Sequence, residues 1–281
     1  MQIIGCDFSS SPSKRKPIVV AISEGFLSQI GTQPLQNMRC VLSKIERFET
    51  LNAWENFLRQ DAQWVGGFDL PFGLPRELVE TLLWPTDWHT CMRHYASLSR
   101  EEIRATFKAF CDARPVGGKF AHRAADAPAG SSPSMKWVNP PVAYMLHAGV
   151  PRLIAAGCHF PCLHKGNPNK VALEAYPGLL AREIIGSRSY KSDDKTKQTP
   201  ERLIARKDIL TALENGQTRL NIRLKLSNAQ RELLIDDASG DSLDAALCML
   251  QAAWGYSKHL EGKKNYGLPK CDPLEGWIVT A

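Results

Sequence analysis

Five carboxylates occupy positions where a carboxylate is costly. Asp7 closes the apolar run IIGCD, Asp69 ends WVGGFD and Glu174 ends KVALE, while Asp241 and Asp244 open the apolar segment GDSLDAALCML. A charged group embedded in such a run is unfavourable unless it is paired or bound to a metal. One alone is commonly a turn former or a helix-start residue; five at the ends of four separate elements ask for a shared cause. Asp241 and Asp244 are three residues apart, so a helix places both on one face, where they repel. A divalent cation would remove that conflict. Oxygen-only ligands suit Mg²⁺ or Mn²⁺. Two such ions about 3.5–4 Å apart can activate a water and stabilise the leaving oxygen of a phosphodiester.

Other residue types could assist. Between Arg188 and Lys207 seven basic residues face three acids, a local excess able to contact phosphates or to serve as a solvated face. Tyr190, Lys191 and Arg206 lie within or beside this stretch, and a positive side chain near the ions would stabilise a transferring phosphoryl group. His122 and Arg123, followed by Asp126, sit in the loose segment KFAHRAADAP and could form a loop over a phosphate. Trp88 and Trp137 could stack on bases. The segment CHFPCLH (158–164) offers two thiols and two imidazoles, yet no second CxxC pair follows at finger spacing, so buried thiols explain it better than zinc. Walker A, GxGxxG and GxSxG patterns are missing, which disfavours kinase, dehydrogenase and serine-hydrolase chemistry.

The elements that must carry these residues read as α/β. Gln2–Phe8, Pro17–Ser23 and Met38–Phe48 predict three strands joined by short turns, hence an antiparallel meander. Leu51–Gln60 has helical spacing with Asn52 as a cap. Gln63–Asp69 is a fourth strand, stopped by Leu70-Pro71, and after a helical crossover it should join in parallel. Lys170–Ala175 is a fifth, followed by a helix to Ile185. From about residue 76 to 168 the texture changes to helices (Arg76–Leu83, Arg100–Cys111, Pro141–Gly157) around a Gly-, Ala-, Ser- and Pro-rich stretch, Arg114–Pro140. This reads as an insertion with a mobile central loop. Pro200–Asn215, Ser227–Ile235 and Gly240–Lys258 are helical, and the tail ends in a short strand.

The order of acids, on strand one, strand four, strand five and a late helix, resembles the ribonuclease-H-like superfamily. More closely, the chain resembles the DUF429 family of predicted ribonuclease-H-like nucleases. GCDFS, FDLPFGLP, EAYPGLLAREIIG, SYK with RLIARKDIL, GDSLDAALCMLQAAW and EGWI carry the likeness, which covers most of the chain outside residues 85–165. It implies one domain with a five-stranded mixed sheet, strands 1–3 antiparallel and 4–5 parallel, flanked by helices. It further implies Asp7 as the central metal bridge, Asp69 as its neighbour, and Asp241 or Asp244 as the helix ligand. Glu174 would be a nearby fifth-strand acid. Asp241, nearer the helix start, is preferred, with Asp244 placed toward the sheet edge. Tyr190, Lys191 and Arg206 fall in matching segments and rank first among the basic-region candidates.

Composition sets the outer bounds. The chain has 281 residues, 43% hydrophobic and 23% charged, which excludes disordered and fibrous classes. No run approaches the roughly 18–20 apolar residues of a membrane span. The N-terminus is apolar before it is basic, the reverse of a secretory signal. Eight scattered cysteines fit a reducing cytoplasm. The formal charge of +6 permits a nucleic-acid partner, DNA or RNA, without requiring one. The expectation is therefore a cytoplasmic metal-dependent nuclease. A non-catalytic nucleic-acid-binding module and a hydrolase of a small phosphorylated molecule or nucleotide are the alternatives.

Overall fold

The structure, a computed structural model, describes residues 1–27 and 38–281. In chain order it begins with β1 (Gln2–Asp7), β2 (Ile18–Ser23), β3 (Gly25–Leu27), β4 (Met38–Val41) and β5 (Lys44–Phe48). α1 (Leu51–Arg59) then leads into β6 (Trp64–Asp69). Next come α2 (Arg76–Thr81), α3 (Trp88–Ser97), α4 (Arg100–Asp112), α5 (Asp126–Ala129), α6 (Val142–Ala155) and the two-residue β7 (Cys158–His159). β8 (Asn167–Glu174), α7 (Pro177–Ile185), α8 (Pro200–Asn215), β9 (Ile222–Lys225), α9 (Asn228–Asp236) and α10 (Asp241–Leu260) complete it.

The central sheet is mixed and six-stranded, in the order β5-β2-β1-β6-β8-β7. β2 runs antiparallel to both neighbours, and the β1-β6, β6-β8 and β8-β7 pairs are parallel. β1, β2 and β6 are covered on both faces, which is why they read as continuous apolar runs instead of alternating ones. One face packs against α7, α8 and α10, with a second sheet of order β3-β4-β9 alongside. The opposite face packs against α1, α2, α3, α4 and α6.

α10 is buried at every position from Asp241 to Ala253, so it is covered on all sides, its polar Asp241, Ser242, Asp244 and Gln251 included. It lies directly on β1. A Cβ at Gly5 would stand 2.1 Å from both the Ala245 carbonyl and the Met249 nitrogen. Only glycine allows this approach, and the approach brings the start of α10 over the ends of β1 and β6.

Several expectations are corrected. The sheet has six strands, because Cys158–His159 adds an edge strand beside β8. Met38–Phe48 is two strands. The chain changes partner between Leu42, whose N–H donates to the Lys225 carbonyl, and Ser43, whose N–H donates to that of Ile22. β4 therefore joins the small sheet and β5 the central one. α1 is capped by Thr50, whose hydroxyl accepts from the Ala53 N–H, in place of Asn52. α3, capped by Asp87, was not foreseen. The centre of Arg114–Pro140 is anchored by buried Arg123, Asp126 and Met135 rather than loose. The tail forms a single bridge, Ile278 to Glu174, in place of a strand. Among the described residues no helix is long and apolar enough to cross a membrane.

Candidate functional site

Parallel strands end together, so β1 and β6 deliver their last residues to one edge. Asp7 and Asp69 are direct register partners, and in-register neighbours project from the same face. That face is the one α10 covers. Asp244 lies one turn before Cys248, whose carbonyl rests on Gly67, so it sits above the end of β6. Asp244 is fully buried, Asp241 nearly so, and Asp7 is 9% exposed. Both helix aspartates act electrostatically on Asp7, Asp244 the more strongly. Of the two, Asp244 alone acts on Asp69. The geometry thus favours Asp244 over the expected Asp241, because packing of α10 on Gly5 and Gly67 aims the 244–248 row at the strand ends.

Partners divide the four aspartates. Asp244 accepts a 2.5 Å hydrogen bond from the Tyr190 hydroxyl and pairs with the Lys191 ammonium. Asp241 pairs with Lys16 at 2.7 Å, and Lys16 also reaches Asp193 at 2.8 Å. Asp7 and Asp69 have no hydrogen-bond or ion-pair partner among the described residues. Burial, reinforced by Asp244, pushes the Asp7 carboxyl well above its ordinary value against the opposing pull of Lys191. Burial likewise pushes Asp69 up to about 7. Four carboxylates face two ammonium groups, and Lys16 is shared with Asp193, so Asp7 and Asp69 are left without an ion-pair partner among the described residues. Among the described residues no three of His, Cys, Asp and Glu form a ready metal-binding group. Asp244 and Asp241 turn instead to their lysines.

Lys191 is held from behind. The Arg206 guanidinium donates to the Tyr190 carbonyl at 2.7 Å and to that of Ile235 at 2.6 Å, and Arg202 donates to the Lys191 carbonyl. Gly240, at φ +79°, precedes α10, and a Cβ there would meet the Lys191 stem at 2.7 Å. Arg206 is therefore a buried brace whose Nε and one terminal nitrogen are spent on backbone carbonyls.

Glu174 behaves differently from the aspartates. It is in register with Phe68, one residue short of Asp69, and so points to the other face. There Arg123 donates to both of its oxygens, at 2.6 and 2.8 Å, and the Phe72 N–H adds a third bond at 2.9 Å. Arg123 also binds Asp126 and the Glu275 carbonyl, so all five guanidinium donors are engaged. It has nothing left for a phosphate. His122 is exposed and stands outside this knot. The expected His122–Arg123 phosphate loop is thus replaced by a buried ion-pair knot.

Trp88 is core, its indole N–H donating to the Phe72 carbonyl at 2.7 Å, and Trp137 packs on Phe120. In the CHFPCLH segment Cys158 is buried and His164 stacks on His89, 4.9 Å between ring centres. Lys16 was missed, although the SKRK run directly after the first strand was the available signal. Asp237 was missed as well; it caps α10 by accepting from the Ser242 N–H at 2.9 Å.

A cavity of about 320 Å³ opens beside Asp69 and Lys191, walled by the 131–145 region, Leu70, Pro71 and Tyr176. Fold and site together define an α/β protein with an under-neutralised carboxylate cluster at the ends of its parallel strands. Comparisons with protein-family models, with characterised proteins and with solved structures find no match to this chain.

Proposed function

We propose that this protein is a divalent-metal-dependent phosphodiester hydrolase, a nuclease on a ribonuclease-H-like fold similar to the DUF429 family. The strand order β5-β2-β1-β6-β8, with the antiparallel pairs at one side and parallel pairs at the other, supports the fold reading. One observation carries the functional reading: Asp7, buried, and Asp69, partly buried, lie in register with no side-chain hydrogen bond or ion pair among the described residues, beside the buried Asp244. Unpaired buried carboxylates are costly, and natural proteins retain them where a cation or a reaction uses them.

The donor set fits a hard ion, being oxygen only, and its two unpaired carboxyls, once ionised, would balance one divalent ion. Asp7, Asp69 and Asp244 would hold it once Lys191 leaves Asp244, and a second ion would need the substrate phosphate as well. Bound there, Mg²⁺ or Mn²⁺ supplies a water of lowered pKa and neutralises charge on the phosphoryl oxygens. The chain's own groups do the remainder. Tyr190 fixes the Asp244 carboxylate through its hydroxyl. Lys191, released from Asp244, is placed to meet the phosphate, with its backbone held by Arg202 and Arg206. Lys16 offsets Asp241 at the rim.

The test is Mn²⁺ calorimetry on wild type and Asp7→Asn, together with cleavage of DNA and RNA oligonucleotides in Mg²⁺ or Mn²⁺. Wild type should bind and cleave, and the variant should do neither. Equal Mn²⁺ binding by both would overturn the reading.

A further inference from the structure

Asp69, at one side of the acid cluster, lies where two different cavities meet. The larger, about 320 Å³, is walled chiefly by Leu70, Pro71, Pro140, Val142, Met145 and Ile278. The smaller, about 190 Å³, carries Arg182 and Arg188. Asp69, Tyr176 and Lys191 line both. A ligand at the carboxylates can therefore place an apolar body on one side and anionic groups on the other.

We infer that the larger cavity seats the base of a single nucleotide unit, with its phosphate at Asp69 and Lys191. This deepens the phosphodiester-hydrolase reading and rests on it. Size is the first argument, because the cavity lies at the lower end of the roughly 300–1,000 Å³ typical of small-molecule pockets. It takes one base and no helix. Chemistry is the second. Arg123 is the one cation on the wall away from Lys191, and its five donors are spent on Glu174, Asp126 and Glu275. A phosphate finds no partner there, so the inner body must be neutral. Glu174 accepts three hydrogen bonds, which leaves one of a carboxylate's roughly four acceptor positions for a base N–H. The Ser132 hydroxyl on the same wall adds a donor. Access is the third argument. A base within a duplex stack cannot enter a side cavity, whereas a free nucleotide or an unstacked residue of a single strand can. The anionic continuation of such a ligand would run along the cleft of Arg182 and Arg188.

The experiment is equilibrium dialysis in Mg²⁺ with the four nucleoside 5′-monophosphates, inorganic phosphate, a single-stranded oligonucleotide and a blunt duplex. It uses wild type and two cavity-filling variants, Met145→Trp and Val142→Phe. A base in apolar surroundings should improve binding over inorganic phosphate by roughly tenfold or more, and each variant should remove that gain. The ranking of free nucleotide against single strand identifies the source. Equal binding of nucleotide and phosphate, or duplex binding that matches single strand and ignores Met145→Trp, would overturn the inference. Mn²⁺ titration of the same three proteins separates the two readings. If wild type fails to bind Mn²⁺ while the variants still lose nucleotide, the pocket stands and the metal-hydrolase reading falls.

Discussion

Two groups of acids share the same end of the same sheet and differ in their partners. On the face covered by α10, Asp7 and Asp69 are unpartnered and their carboxyls are pushed upward by burial. On the other face Glu174 and Asp126 are paired with Arg123, whose five donors are all engaged. The division follows from a one-residue offset in strand register, Asp7 opposite Asp69 but Glu174 opposite Phe68. The lesson is that a buried acid near a site is not thereby part of its chemistry. Glu174 holds the 123–126 segment to the sheet, and the unpartnered pair is where we propose a cation.

The contrast can be broken most forcefully at Arg123. Arg123→Met leaves two buried carboxylates without their partner and should lower the unfolding free energy by about 3–5 kcal/mol in urea at neutral pH. A loss below about 1 kcal/mol would show the two groups to be alike. Asp7→Asn should do the reverse for stability. In chelator it removes a buried carboxyl whose ionised form burial disfavours, and a gain of about 1 kcal/mol would raise the melting temperature by roughly 2–4 °C. Its cleavage rate should fall by more than about 100-fold, since even groups supporting a metal ligand are worth about 10–100-fold. A variant both less stable and still active would dissolve the distinction.

The pH dependence sharpens the comparison further. Asp69 titrates near about 7 in the folded protein, against an ordinary carboxylate value of about 4 in the unfolded chain. Between those limits the folded state holds the extra proton, so metal-free stability from this group declines as pH rises. Chemical denaturation of wild type and Asp69→Asn across this window should therefore give a difference that grows with pH in favour of the variant. Saturating Mg²⁺ should shrink it. A difference that is flat or of opposite slope would mean Asp69 has a counter-charge of its own. The smallest effect is expected at Tyr190→Phe, which removes one hydrogen bond to Asp244 and should cost about 1 kcal/mol. Unchanged thermal stability would mean that Lys191 alone holds that carboxylate.

Much of the frame was legible from periodicity. The apolar runs ending at Asp7 and Asp69 are strands, Leu51–Gln60 and Gly240–Lys258 contain helices, and the meander-then-crossover order gives the β5-β2-β1-β6-β8 core. The division of Met38–Phe48 was not legible, because alternation continues through Leu42 while the hydrogen-bond partner changes. The offset of Glu174 was nearly legible. Aligning VGGFD with VALEA from their first valines already sets Glu174 against Phe68. The sequence preference for Asp241 over Asp244 rested on distance from the helix start, which says nothing about which row of α10 meets Gly5 and Gly67.

Local order of residue types thus determined which groups could ionise, which elements carried them and in what sequence they would reach the sheet edge. The tertiary structure decided which of them are neutralised. Glu174 meets Arg123 across 51 positions, Asp244 meets Lys191 across 53 and Asp241 meets Lys16 across 225. Charge pairing depends on separation and solvent exclusion in space, and neither is encoded in the spacing of residues along a chain.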